Sequence, residues 1–119
     1  MFAYHLVARD DLKGWDTRSD YVPKAFAADG FIHCTRGMDA VVDTANRYYR
    51  DDPREYVVLM IDMYRIAAPV RYEDPDERYP HIHGPLNSDA VFGLLKVDRA
   101  TDGTFLEVSS DPAGVVAED

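Results

Sequence analysis

Cysteine is nearly missing from this chain: there is one, Cys34, in 119 residues. No internal disulfide can form, and a lone thiol fits a reducing compartment. Long apolar runs are missing as well. The longest, Val57 to Ile61, falls far short of the roughly 20 residues a bilayer helix needs. The N-terminus lacks a basic stretch followed by an apolar one, so no secretory signal is expected. Together these absences predict a cytoplasmic protein without a membrane partner. Positive charge is scarce too: 13 Lys and Arg stand against 22 Asp and Glu, for a net charge of −9. A surface of that sign disfavours double-stranded nucleic acid, although a local Arg and His cluster could still hold one phosphate. Glycine and proline number seven each, too few for a linker or a low-complexity tract. The organisation expected is one domain over 1–108, with a loose tail over 109–119.

Hydrophobic residues, 46% of the chain, suffice for one core. Phe2 to Val7 alternates and reads as a first strand. Asp10 or Asp11 can then cap a short helix that carries Leu12 and Trp15. Tyr56 to Asp62 is continuously apolar and β-branched, the pattern of a central strand covered on both faces. Further extended segments are expected over Val70–Glu73, Pro80–Leu86, Phe92–Val97 and Thr104–Val108, the last two joined by a turn at Asp102-Gly103. One strong helix is expected over about 38–50. There Met38, Val41, Val42, Ala45, Tyr48 and Tyr49 form an apolar stripe, which assigns both tyrosines to the core. Short strands with one main helix, not strictly alternating, predict an α+β fold on a mixed β-sheet.

The stretch Gly30-Phe31-Ile32-His33-Cys34-Thr35-Arg36-Gly37 combines a buried strand with a helix start. Phe31, His33 and Thr35 share one strand face because side chains alternate. That puts His33 and Thr35 beside the free N–H groups of the helix start, a corner suited to an anion or a sugar-phosphate, with Arg36 adding its charge. Cys34 points to the opposite face and cannot pair with His33 as a nucleophile, so it reads as core filler. His81-Ile82-His83 places two imidazoles on one side with Ile82 inward. A metal would need a third ligand from His33, His5 or a distant carboxylate, and no metal site is assigned. Arg71 and Glu73 share a strand face, and Tyr21 and Tyr79 fall in loops where they are free to stack on a ligand.

The ordered motifs Tyr4-His5, Trp15, Tyr21-Val22-Pro23, Gly30-Phe31-Ile32-His33-Cys34-Thr35, Val70-Arg71-Tyr72-Glu73 and Pro80-His81-Ile82-His83-Gly84-Pro85-Leu86 resemble the bacterial domain-of-unknown-function 952 family over about residues 2–107. The resemblance implies an ADP-ribosyltransferase-like fold, a split and strongly curved β structure with a central cleft. It marks His33, Thr35, His81, Gly84 and Pro85 as motif positions, and it implies that His5 holds a ribose. The strand glutamates available for a catalytic role are Glu73 and Glu107. The resulting expectation is a cleft for NAD or an ADP-ribose-like nucleotide, with ADP-ribosyl or phosphoryl transfer. Its catalytic candidates are His33, Glu73 and His81. Its ligand-binding candidates are His5, Tyr21, Thr35, Arg36, Tyr79, His83 and Gly84. A non-catalytic binding module on the same fold is one alternative, and a metal-dependent hydrolase using His81 and His83 is another.

Overall fold

Alternation in the sequence becomes two-faced burial in the structure. In this computed structural model, which describes residues 1–112, β1 (Phe2–Ala8) turns Ala3, His5 and Val7 to one side and Tyr4, Leu6 and Ala8 to the other. A single 3-10 turn, Arg9–Leu12, stands where the first short helix is expected. The remaining elements are α1 (Phe26–Asp29), β2 (Ile32–His33), α2 (Met38–Tyr48), β3 (Tyr56–Asp62), β4 (Val70–Tyr72), β5 (Pro80–Ile82), β6 (Val91–Arg99) and β7 (Phe105–Pro112). No helix among the described residues is long and apolar enough to cross a membrane.

The strands form a four-stranded sheet in the order β1-β3-β6-β7 and a three-stranded sheet in the order β2-β5-β4. Every strand pair is antiparallel, which corrects the expected mixed sheet. The reason is topological. A parallel pair needs a crossover within one sheet, and the helical connection α2 instead joins β2 of the small sheet to β3 of the large one. The apolar run of β3 is an inner strand, as its composition demands. Val57, Leu59 and Ile61 pack toward Ile32, Cys34, Ile82 and Leu86, while Tyr56 and Val58 belong to the clusters that take in Ala45 and Val41 of α2.

Helix α2 lies against the large sheet and is pinned there by Asn46. Its side-chain amide donates to the Phe105 carbonyl at 2.9 Å and accepts from the Phe105 N–H at 2.7 Å. The helix ends at Tyr48, short of the expected 50. Tyr49 leaves helical geometry at φ −125°, and the carbonyls of Tyr49 and Arg50 turn to the Arg99 guanidinium. Strand β7 runs past Val108 to Pro112 because its pairing with β6 continues through a bulge. This shortens the expected tail, and residues 113–119 lie outside the described residues.

Candidate functional site

Cys34 to Arg36 forms the seam between the sheets. The Cys34 and Arg36 N–H groups reach the Pro80 and Arg78 carbonyls at 3.0 and 2.8 Å, while Thr35 exchanges two 2.8 Å bonds with Tyr4 of β1. Alternate residues of a strand present their backbone groups to opposite edges. The Tyr4 pairing therefore turns the N–H and C=O of Leu6 and Ala8 outward as well. Ahead of Thr35 in the sequence the chain stands off this edge, since the His33 carbonyl accepts from the His5 imidazole at 2.7 Å instead of continuing the ladder. The gap that opens is a cavity of about 570 Å³, inside the roughly 300–1,000 Å³ usual for small-molecule sites. Leu6 to Ala8 line it along the strand edge, with Phe31, His33 and Asp29, Tyr48 and Tyr49, and Lys24, Arg54 and Asp11 around them.

His5 touches this cavity but has no nitrogen to offer a ligand. It is 6% exposed. Its Nδ1 must donate to the His33 carbonyl, so its Nε2 accepts from the Tyr21 hydroxyl at 2.8 Å. Burial lowers the imidazole to about 4, which keeps it neutral. Tyr21, 2% exposed, is spent on this bond and on edge contacts with His5 and Trp15. Burial also pushes its hydroxyl far up. The expected ribose contact of His5 and the free stacking ring of Tyr21 are both corrected: the pair is a core polar couple. Cys34 is buried as well, and burial pushes its thiol up to about 12.

His33 is different, because its side chain is largely exposed in the cavity wall. Its Nε2 lies 2.9 Å from Asp29 Oδ2. The carboxylate accepts, so Nε2 carries the proton and Nδ1 is left as a free acceptor. Gly30 makes this geometry possible: at φ +80° it ends α1 in the left-handed region and folds Asp29 back over β2. The register places His33 opposite His81, and His81 opposite Arg71. Phe31 stacks on His81 at 4.1 Å and 16°, and touches the rings of His33 and His83 at 4.6 and 5.3 Å. His33 and His81 are thus brought together, at 5.7 Å between ring centroids. His81 is lowered by burial and then by His33, with Glu73 opposing from nearby. Glu73 itself is exposed and does not line the cavity.

The remaining candidates lie elsewhere. Thr35 is buried in the seam. Arg36 donates to the Glu77 carbonyl at 3.2 Å and lines a separate hollow with Gly37 and Arg78, so the helix start does not face His33. Tyr79 follows a loop tied by Asp74, whose carboxylate accepts from the Arg78 and Tyr79 N–H groups at 2.7 and 3.1 Å. Those bonds hold the Asp74 carboxyl below its ordinary range. Gly84 has a packing reason to be glycine, since a Cβ there would come within 2.9 Å of the Ala68 Cβ. Among the described residues no group of three His, Cys, Asp or Glu is placed to hold a metal ion.

Composition and periodicity missed the aromatic end of the cavity. Tyr48 and Tyr49, assigned to the core by the helical stripe, are exposed and line it. The stripe outruns the sheet it packs on, because Val41 and Ala45 already fill the contact. Beside them Arg54 binds Asp52 through Nε and Nη2, and the Tyr56 hydroxyl donates to the same carboxylate at 2.7 Å. This holds the Asp52 carboxyl well below the usual range, while burial and then the bond to Asp52 push the Tyr56 hydroxyl up to about 12. Lys24 pairs with Asp11 at 3.2 Å while remaining mostly exposed. Loop charges such as these carry no periodic signal, and only the fold gathers them.

These elements define a small α+β domain with a curled antiparallel sheet and few helices. Residues 6–94 match the model of the family described as "Protein of unknown function (DUF952)", and the chain belongs to that family. It is similar in structure to protein CC0527 from Caulobacter crescentus, whose crystal structure gives a TM-score of 0.73 at 22% identity, covering 89% of this chain and 94% of that one. A crystal structure of a methionine double mutant of that protein matches with a TM-score of 0.73. Its solution NMR structure matches at 0.60 and 24% identity, over 86% of this chain and 89% of that one. At such identities the likeness concerns the fold. No protein with a curated description matches the chain.

Proposed function

We propose that the cavity beside β1 binds a nucleotide of the NAD or ADP-ribose class, on a fold of the ADP-ribosyltransferase-like type. The observation that carries this reading is one cavity lined by exposed tyrosines, by the Asp29–His33 pair and by an accessible lysine. A base stacks on Tyr48 or Tyr49. Lys24 exchanges Asp11 for a phosphate, which matters in a chain of net charge −9. The outward backbone groups of Leu6 and Ala8 offer donors and acceptors to a base edge, and His33 Nδ1 accepts from a ribose hydroxyl. The split pair of antiparallel sheets with a cleft at their junction supports the fold assignment. In the transfer reading, ADP-ribosyl or phosphoryl, the same Nδ1 takes the proton of the attacking hydroxyl as its oxygen bonds to the ribose carbon or the phosphorus, and the nicotinamide or the remaining nucleotide leaves with the electron pair of the broken bond. His81 stands beside His33, and Glu73 lies near His81. A non-catalytic module is the second reading, favoured by the position of Glu73 outside the cavity.

Calorimetric titration with ADP-ribose and NAD tests the binding. Tyr48→Ala is expected to weaken it about tenfold, the loss of one base-stacking contact. Lys24→Ala is expected to weaken ADP-ribose but not adenosine. Arg36→Ala, away from the cavity, should leave both unchanged. Absence of heat with either nucleotide, or a loss confined to the Arg36 variant, contradicts the assignment. Release of nicotinamide from NAD then separates the enzyme from the module.

A further inference from the structure

The outer face of the small sheet carries a basic row that starts at His33 in the cavity wall and runs on to groups that nucleotide binding in the cavity does not use. Antiparallel register lines up His33 of β2, His81 of β5 and Arg71 of β4 across three strands. Neighbouring strands lie about 4.8 Å apart, so the row spans about 10 Å, a width that suits one tetrahedral group bridged by two or three donors. We propose that this row is an anion subsite that takes a doubly charged oxyanion, such as the terminal phosphoryl group of a ligand.

Arg71 is exposed, and among the described residues its side chain has neither a hydrogen bond nor an ion pair. A free guanidinium opposite His81 is a ready fork for an oxyanion. The imidazoles are held in place rather than loose, since Phe31 is in contact with all three rings. Their nitrogens are also sorted. His81 Nδ1 and His83 Nε2 are shut from solvent without a hydrogen-bond partner. A buried N–H without an acceptor is the rarer and costlier arrangement, so the protons sit on the opposite nitrogens, His81 Nε2 and His83 Nδ1. These retain exposed surface, which makes both rings donors toward the open face.

His33 closes the row at its β2 end, with its Nε2–H held by Asp29. Carboxylates also face the row: Asp29 from the end of α1, and Glu73 and Asp74 from the segment after β4, both felt at His81. In the empty state they moderate the repulsion between the imidazoles. The subsite rests on the nucleotide reading only for the identity of the group it receives, and inorganic anions test it separately.

The experiment is a titration of the full chain, labelled at histidine nitrogens, with sodium sulfate at constant ionic strength, followed by NMR. The expected result is saturable shifts at His33, His81 and His83. Arg71→Ala should weaken sulfate about tenfold, the effect of one charge-assisted contact, while leaving the melting temperature and adenosine binding unchanged. His81→Gln should weaken sulfate by a similar factor. Inorganic phosphate, run at pH 7.5, should behave as sulfate does. Shifts that rise linearly without saturating, or that saturate only at Gly37–Met38 or Lys24, overturn the subsite. An unchanged sulfate affinity in Arg71→Ala also overturns it. Loss of adenosine binding with sulfate binding intact would instead sink the nucleotide reading alone.

Discussion

Arg99→Ala is expected to lower stability by about 3–5 kcal/mol, two charged hydrogen bonds at about 1.5–3 kcal/mol each with weaker ones beside them. The guanidinium is a hub that gathers two turns. Nη1 donates to the Asp52 and Arg54 carbonyls at 2.8 and 2.9 Å, and Nη2 to Gly103 and Arg50 at 3.0 and 3.2 Å. The group also lies 4.1 Å over the buried Phe105 ring. Alanine leaves these carbonyls without their donor and strips one face of the aromatic ring. Gly103 belongs to the same clasp, since a Cβ there would meet the Arg50 oxygen at 2.4 Å. Urea denaturation measures the loss, and a value below about 1 kcal/mol, the range of an exposed ion pair, contradicts the account. Arg99→Lys, a point charge without the fork, should recover only part of it. Tyr49 and Arg54 ride on the segment that Arg99 gathers, so the same variant should loosen the cavity wall and weaken the ligand.

His5 should make the protein acid-sensitive above the carboxylate range. Its folded value is about 4, against an unfolded value near 6.5. Between these pH values the unfolded chain binds the proton and the folded chain does not, so stability rises with pH across the window. The contribution is fully present above about pH 6.5 and falls as pH drops toward 4. The loss is about 3 kcal/mol at about 1.4 kcal/mol per pH unit. Below about 4 both states are protonated and this group adds no further change. His81, also lowered by burial, contributes in the same direction. Denaturation curves at several pH values between 7 and 4 test this, with His5→Gln as the comparison. The variant is less stable at pH 7 but should show a clearly flatter slope. Equal slopes in the two proteins would mean that His5 is not the group that titrates.

Strand positions were legible where the local pattern and the tertiary burial agree. The run from Tyr56 to Asp62 reads as a central strand, and the alternation of Phe2 to Val7 marks a strand with two distinct faces. Antiparallel order throughout was not legible, because it depends on which sheet each strand joins rather than on any strand's composition. Phe31 and His33, and likewise His81 and His83, could be placed on common faces because period 2 is local. The long-range register that sets His33 against His81 could not. Tyr21 and Tyr48 show the converse error. Tyr21 sits in a proline-marked loop yet is buried by its bond to His5, 16 residues away in sequence, whereas Tyr48 continues an apolar stripe yet overhangs the sheet. Arg36 was read from its neighbours in the chain, but its partner is the Glu77 carbonyl across the fold. Asp29, Lys24 and Arg54 carry no periodic or motif signal, and they enter the site only because the chain stands off the β1 edge before Thr35.

The central claim is that a nucleotide sits beside the open edge of β1. Backbone amide NMR of the uniformly labelled chain, titrated with ADP-ribose, tests it directly. The predicted result is a saturable set of shifts at Leu6, Ala8, Lys24, Asp29, His33, Tyr48 and Tyr49, with Gly37 and Arg78 unmoved. Saturable shifts centred on Arg36, Gly37 and Arg78, or none anywhere at millimolar ligand, would contradict it.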